Sequence, residues 1–162
     1  MNLISEERPS GASINTHYEQ IAYFPNLPLP PSSNNQYFLV RRGPKTFHVP
    51  SDELKAFKAL MDQYAAKEGM PFTFNSNLVK AWVSEPAGLS IKAVFFFHKE
   101  RVMTKQNLPK RLDCSNRIKA LHDNLCRIIG IDDKWFFKVE AEKAICPPSV
   151  QETTCVEISR YS

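Results

Sequence analysis

Between Asp113 and Ile129, apolar side chains return every three or four residues, at Ile118, Leu121, Leu125 and Ile128, and Gly130 ends the run. That period is helical. A glycine just past the last periodic residue stops a helix because it takes the left-handed conformation without a Cβ clash. Asn116, Lys119, Asp123 and Arg127 fall on the opposite, polar face. A helix with one apolar stripe has to bury it against another layer. Neighbouring segments offer that layer as strands. Leu89 to Lys99 holds the run Ala93-Val-Phe-Phe-Phe97, Trp135 to Ile145 alternates, and Thr153 to Ser159 gives one more short strand.

The rest of the chain extends this pattern. Ile21 to Phe24 is a short β-like run. Leu27-Pro-Leu-Pro-Pro31 cannot be helical, because prolines and the residues before them are held extended, and Asn34-Asn35 suits a turn. Tyr37 to Arg42 and Thr46 to Val49 flank Arg-Gly-Pro-Lys and read as a hairpin. Ser51 is a good N-cap, with Asp52 and Glu53 in the first turn; Leu54, Phe57, Leu60, Met61 and Tyr64 then recur at helical spacing until about Lys67. Leu78 to Val83 is expected to form a hairpin with Leu89 to Lys99, and residues 100–112 a basic loop. Residues 1–18 are polar and aperiodic, a flexible lead-in. The predicted fold is α+β: a small mixed or antiparallel sheet with two helices packed on it, as a single domain over residues 19–162.

Composition narrows the function classes. Hydrophobic residues make up 43% of the chain, enough for a core, yet no apolar run is long enough to span a bilayer and no secretory n-region followed by an h-region is read. Cys114, Cys126, Cys146 and Cys155 form no CxxC pair or zinc spacing, which suggests reduced thiols in a cytoplasmic protein. The formal charge of +4 is mild but uneven: Lys99, Arg101, Lys105, Lys110, Arg111, Arg117 and Lys119 face only Glu100 and Asp113 in the same stretch. Such a local excess is an expected footprint for nucleic acid, although solvated charged loops are also common.

Acidic residues bracket the helix. Asp113 opens it behind Lys110-Arg111, and Asp132-Asp133 follow Gly130 at the expected start of a strand. Carboxylates at element ends, framed by Lys and Arg, suit Mg2+ held against a phosphate backbone, because this ion takes one or two carboxylates and fills its remaining positions with water and phosphate oxygens. On spacing alone, a solvated helix with ordinary caps fits equally well.

Two motifs together resemble the RusA-like crossover junction endodeoxyribonucleases of bacteria and phages. One is Leu27-Pro-Leu-Pro-Pro-Ser-Ser-Asn-Asn-Gln-Tyr37, similar to the family's proline-rich segment ending in Asn-Asn-x-Tyr. The other runs from Lys110 to Asp133 and is similar to the family pattern of a basic pair, Asp-x-Asp-Asn (here Asp113-Cys-Ser-Asn116), Lys three residues after the Asn, a later Asp-x-Leu and a closing Asp-Asp. The resemblance implies that Asp113 and Asp133 are catalytic aspartates, that Asp113, Asp132 and Asp133 hold Mg2+, and that Lys119 is the catalytic lysine near the phosphate. It implies DNA contacts from Arg101, Lys105, Lys110, Arg111, Arg117, Asn34 and Asn35. One position departs: Ser115 stands where the family has its second aspartate, and a neutral hydroxyl neither binds Mg2+ as well nor balances its charge.

The activity implied is Mg2+-dependent resolution of four-way (Holliday) DNA junctions by paired nicks, in recombination and repair. A homodimer is implied too, since its twofold axis matches that of the junction. Two rivals remain. Ser115 favours a branched-DNA-binding protein of the same fold with weak or no cleavage. Phe95, Phe96, Phe97, Trp135 and Phe136 could instead form a stacking platform for single strands, although alternation would bury about half of them. A helix over 116–129 would be roughly 20 Å long, so Asp132-Asp133 are expected far from Asp113 of the same subunit. That separation suggests a composite site across the dimer.

Overall fold

The computed structural model describes residues 20–32, 36–67, 88–112 and 114–161. Within them the order is β1 (Gln20–Pro28), β2 (Tyr37–Arg42), β3 (Lys45–Pro50), α1 (Asp52–Lys67), β4 (Gly88–His98), α2 (Lys99–Val102), α3 (Ser115–Ile129), a 3-10 turn (Asp133–Trp135), β5 (Phe136–Cys146) and β6 (Thr153–Tyr161). The fold is α+β, as the sequence predicts. A four-stranded sheet runs β1-β6-β4-β5, and β2-β3 form a separate two-stranded sheet.

The main sheet is mixed. β6 pairs antiparallel with β1 and β4, whereas β4 and β5 are parallel, with Ala93 opposite Ala141. Parallel neighbours need a crossover, and α3 lies within it. β4 and β6 are thus the inner strands, each with both edges taken. The 78–83 run expected to hairpin with it lies outside the described residues, as does the 1–18 lead-in.

Alternation along β4 separates two faces. Leu89, Ile91, Ala93, Phe95 and Phe97 are buried and join Val156 and Ile158 of β6 and Phe24 and Leu27 of β1 in one core with Phe57, Met61 and Ala65 of α1 and Leu121, Leu125 and Ile129 of α3. Ile118 and Ile128, placed on the α3 stripe, are only half-buried. The other sheet face is charged: Lys92 pairs with Glu142 at 3.0 Å and Lys138 with Glu140 at 2.8 Å. Because Phe95, Phe97 and Phe136 are core residues, the rival stacking platform lacks three of its five rings, and Phe96 and Trp135 are half-buried.

Two local details tie the layers together. Asn26 takes a left-handed conformation at the β1 irregularity between Phe24 and Leu27, and Tyr64 of α1 donates to the adjacent Pro25 carbonyl at 2.7 Å. The expected basic loop is more ordered than predicted. It contains the one-turn helix α2 and a closed turn in which Met103 and Pro109 bridge. No helix among the described residues is long and apolar enough to cross a membrane.

Candidate active site

The site is organised by how α3 ends. Gly130 sits at φ 71°, and its N–H and that of Ile131 both donate to the Cys126 carbonyl, at 2.9 and 3.1 Å. The left-handed residue reverses the chain, and buried Ile131 pins the reversal to the core. Asp132 then caps the next turn: its carboxylate accepts from the Lys134 N–H at 3.1 Å and pairs with Lys134 Nζ at 3.2 Å. The carboxylates do not start a strand, as the sequence suggests. They sit in and before the 3-10 turn that delivers Phe136 to β5.

This reversal folds Asp133 back along the helix. The His122 ring contacts Phe136 edge-on, and the Asp133 charge acts on both His122 and Cys126. Burial pulls the His122 pKa down, opposed by Asp123 and Asp133; its Nε2 is buried without a hydrogen-bond partner. Burial first, then the charges of Asp133, Asp123 and Asp132, push the Cys126 thiol up to about 12. The Lys134 backbone N–H, then its side chain, hold the Asp132 carboxyl below its ordinary value. Asp132 is thus kept as a carboxylate.

Asp132, Asp133 and Lys119 are exposed. Asp113, Asn34 and Asn35 lie outside the described residues. Among the described residues no three His, Cys, Asp or Glu side chains converge as a metal cluster. The donors that are present, solvent-facing carboxylates with one held charged, suit a hard cation that keeps part of its water shell.

The cations of the 99–119 stretch are not equivalent. Lys105 and Arg111 are exposed. Arg101 pairs with Glu152, and Lys110 Nζ donates to the Glu100 carbonyl at 2.6 Å. Arg117, expected on the phosphate-gripping surface, is instead 8% exposed. Its Nη1 donates to the Pro30 carbonyl, its guanidinium lies 5.4 Å from the Phe97 ring centre, and its Nε has no partner. Burial, then the Arg101 charge, lower its pKa. It pins the proline-rich segment to the core.

Residues that sequence reasoning passed over also frame the site. Gln36, inside the Asn-Asn-Gln-Tyr motif, donates from Nε2 to the Asn116 carbonyl in the first turn of α3, at 3.2 Å. Lys143 Nζ donates to the Leu112 carbonyl at 3.3 Å, beside Asp113 in the chain. A groove of about 340 Å³ between the β2-β3 base, α1 and α3 is lined by Lys55, Lys58, Asp123, Asn124 and Arg127. Arg127 also pairs with Asp62 at 2.6 Å, clamping α3 to α1.

None of the curated proteins compared with the chain matches it. The family model described as endodeoxyribonuclease RusA matches residues 28–159, from the end of β1 into β6, and the chain therefore belongs to the RusA family of endodeoxyribonucleases.

Proposed function

We propose that the protein is a Mg2+-dependent, structure-selective nuclease that resolves four-way DNA junctions by paired nicks. The observation carrying this reading is the reversal at Gly130, which turns the charged Asp132-Asp133 pair back along α3, the helix that bears Lys119. Asp113, Asp132 and Asp133 would hold the metal. When bound, Mg2+ supplies an acidified water and neutralises charge on the scissile phosphate. Lys119 stabilises the negative charge that builds on that phosphate. Lys105 and Arg111 hold neighbouring phosphates, fixing position without reading sequence. A homodimer supplies two equivalent sites for opposing strands. The work would be done on DNA in the cytoplasm of a bacterial cell or a phage-infected host.

Incubating a synthetic four-way junction with the protein, with and without Mg2+, tests the reading. Paired, metal-dependent nicks near the branch point are expected. Asp113→Asn should abolish them while junction binding stays within about twofold, since removing a negative charge beside phosphates does not weaken binding. Binding without nicking in the wild type would favour the second reading, a branched-DNA-binding protein. Ser115, exposed in the first turn of α3 at a family aspartate position, is what supports that alternative. Ser115→Asp should then raise metal-dependent cleavage.

A further inference from the structure

We propose that the β2-β3 hairpin is a DNA wedge. Its aromatic residues meet unstacked bases where the arms of a branched duplex diverge, and its tip cations hold the adjacent phosphates. The inference rests on the reading of the protein as acting on branched DNA.

The register divides the ribbon into two faces. Phe38, Val40 and Arg42 stand opposite Val49, Phe47 and Lys45; Tyr37, Leu39 and Arg41 stand opposite Pro50, His48 and Thr46. Apolar side chains show on both faces: Phe38 is 59% exposed and Phe47 45% on one, Leu39 68% and Tyr37 48% on the other, while Val40 and Val49 are half-buried. A two-stranded ribbon is marginal in water on its own, and one showing apolar side chains on both faces is suited to a partner. Charge selects that partner. From Tyr37 to Pro50 there is no Asp or Glu, against Arg41, Arg42 and Lys45 at the tip. A second copy laid on this face would bring these cations together, whereas a polyanion neutralises them. Duplex DNA admits a two-stranded ribbon in its major groove, and apolar side chains wedge between base steps where stacking is already broken.

The hairpin is also fixed to the candidate site. Ser51 N–H donates to the Gln36 carbonyl at 2.9 Å, closing the hairpin base, while Gln36 Nε2 reaches the Asn116 carbonyl of α3. A ribbon held at the first turn of α3 projects from the helix that bears Lys119. Several cations of the 99–119 stretch are engaged within the protein, so the hairpin cations and Lys58 of α1 supply a second positive surface beside the site, where Lys55 is held by Asp52 at 2.9 Å.

The test uses a four-way junction with 2-aminopurine at the branch point and a linear duplex of equal length, both in EDTA. Wild-type protein should raise the fluorescence on binding the junction. The F38A/F47A variant, and F38L/F47L, which keeps apolar side chains, should lose that rise. Each should bind the junction roughly tenfold more weakly and the linear duplex as wild type does. R41A/R42A/K45A should weaken both complexes and reduce the salt slope by about 2 to 3. Wild-type protein that binds the junction while all three variants match it overturns the wedge and leaves the nuclease reading standing. Conversion of F38L/F47L from dimer to monomer in sedimentation also overturns it, assigning the face to a second copy. If the wild type binds no branched DNA, the functional reading fails first and the wedge with it.

Discussion

The imidazole of His122 meets the phenyl ring of Phe136 edge to face, with 4.7 Å between ring centres and 88° between planes. A residue in the middle of α3 therefore touches the first residue of β5, although Gly130 and the 3-10 turn lie between them. The contact fixes how far back along the helix the Asp132-Asp133 pair is carried.

That return bears on whether one subunit can complete the site. Seven residues of helix separate His122 from Ser115, about 10 Å, roughly half the span that suggested a composite site. We expect both aspartates to act within one subunit. Asp113→Asn and Asp133→Asn proteins, each inactive alone, should recover no nicking when mixed under conditions that exchange subunits. Recovery of single-strand nicking would assign the site to two chains.

Two arginines of the same stretch should behave oppositely. Arg111 is exposed, so Arg111→Ala should lower the slope of log K against log salt by about one without changing sequence preference. Arg117 is spent on Pro30 and Phe97. Arg117→Ala should leave the slope unchanged and destabilise the fold by about 2 kcal/mol, from the lost charged hydrogen bond and ring contact. Salt titrations beside urea melts separate the two.

Acid should loosen the β6 lead-in before the core. Burial alone would raise the Glu152 carboxyl, but the His98 N–H and the Arg101 guanidinium outweigh it and hold the group below its ordinary value. A carboxylate whose folded pKa lies below its unfolded one adds stability above the unfolded value, near 4.3. That stability is lost as pH falls through the folded pKa. Glu152→Gln should cost about 1 kcal/mol at neutral pH and flatten the stability profile below pH 5. Unfolding curves from pH 3 to 7 that keep the wild-type slope would argue against this pairing.

Gly130 offers a purely conformational test. A Cβ there would meet no heavy atom within 4 Å, but φ is 71°. Gly130→Ala should therefore cost about 1 kcal/mol of stability through backbone strain alone. Because the reversal places Asp133, cleavage should fall more than that loss of stability explains. A variant equally destabilised but fully active would separate the turn from the chemistry.

The hairpin and both long helices are legible in the sequence because their signals are local. Ser51 accepts a hydrogen bond from the Leu54 N–H as an N-cap should, at 3.0 Å, and Gly130 takes the left-handed stop. What escaped is set by contacts between distant residues. Nothing around Arg117 announces burial, because its partners, Phe97 and Pro30, arrive from other elements. The pairing of β4 with β5 depends on a crossover rather than on either strand's pattern. The direction in which Asp132 and Asp133 point follows from Ile131 and His122 packing, which helix periodicity does not encode. The candidate chemistry was read from motif residues, yet Gln36, which joins hairpin to helix, carried no signal beyond its place in the proline-rich motif.

Cys126 gives the protein a chemical clock. The residue is 8% exposed, and burial pushes its thiol up to about 12, so little of it is the reactive thiolate near neutral pH. An alkylating reagent reaches it at an appreciable rate only when α3 lifts from the sheet and the ordinary acidity returns. Alkylation at this position, followed by mass, would time the opening of α3. Its slowing on addition of junction DNA would measure how firmly bound DNA holds that helix closed.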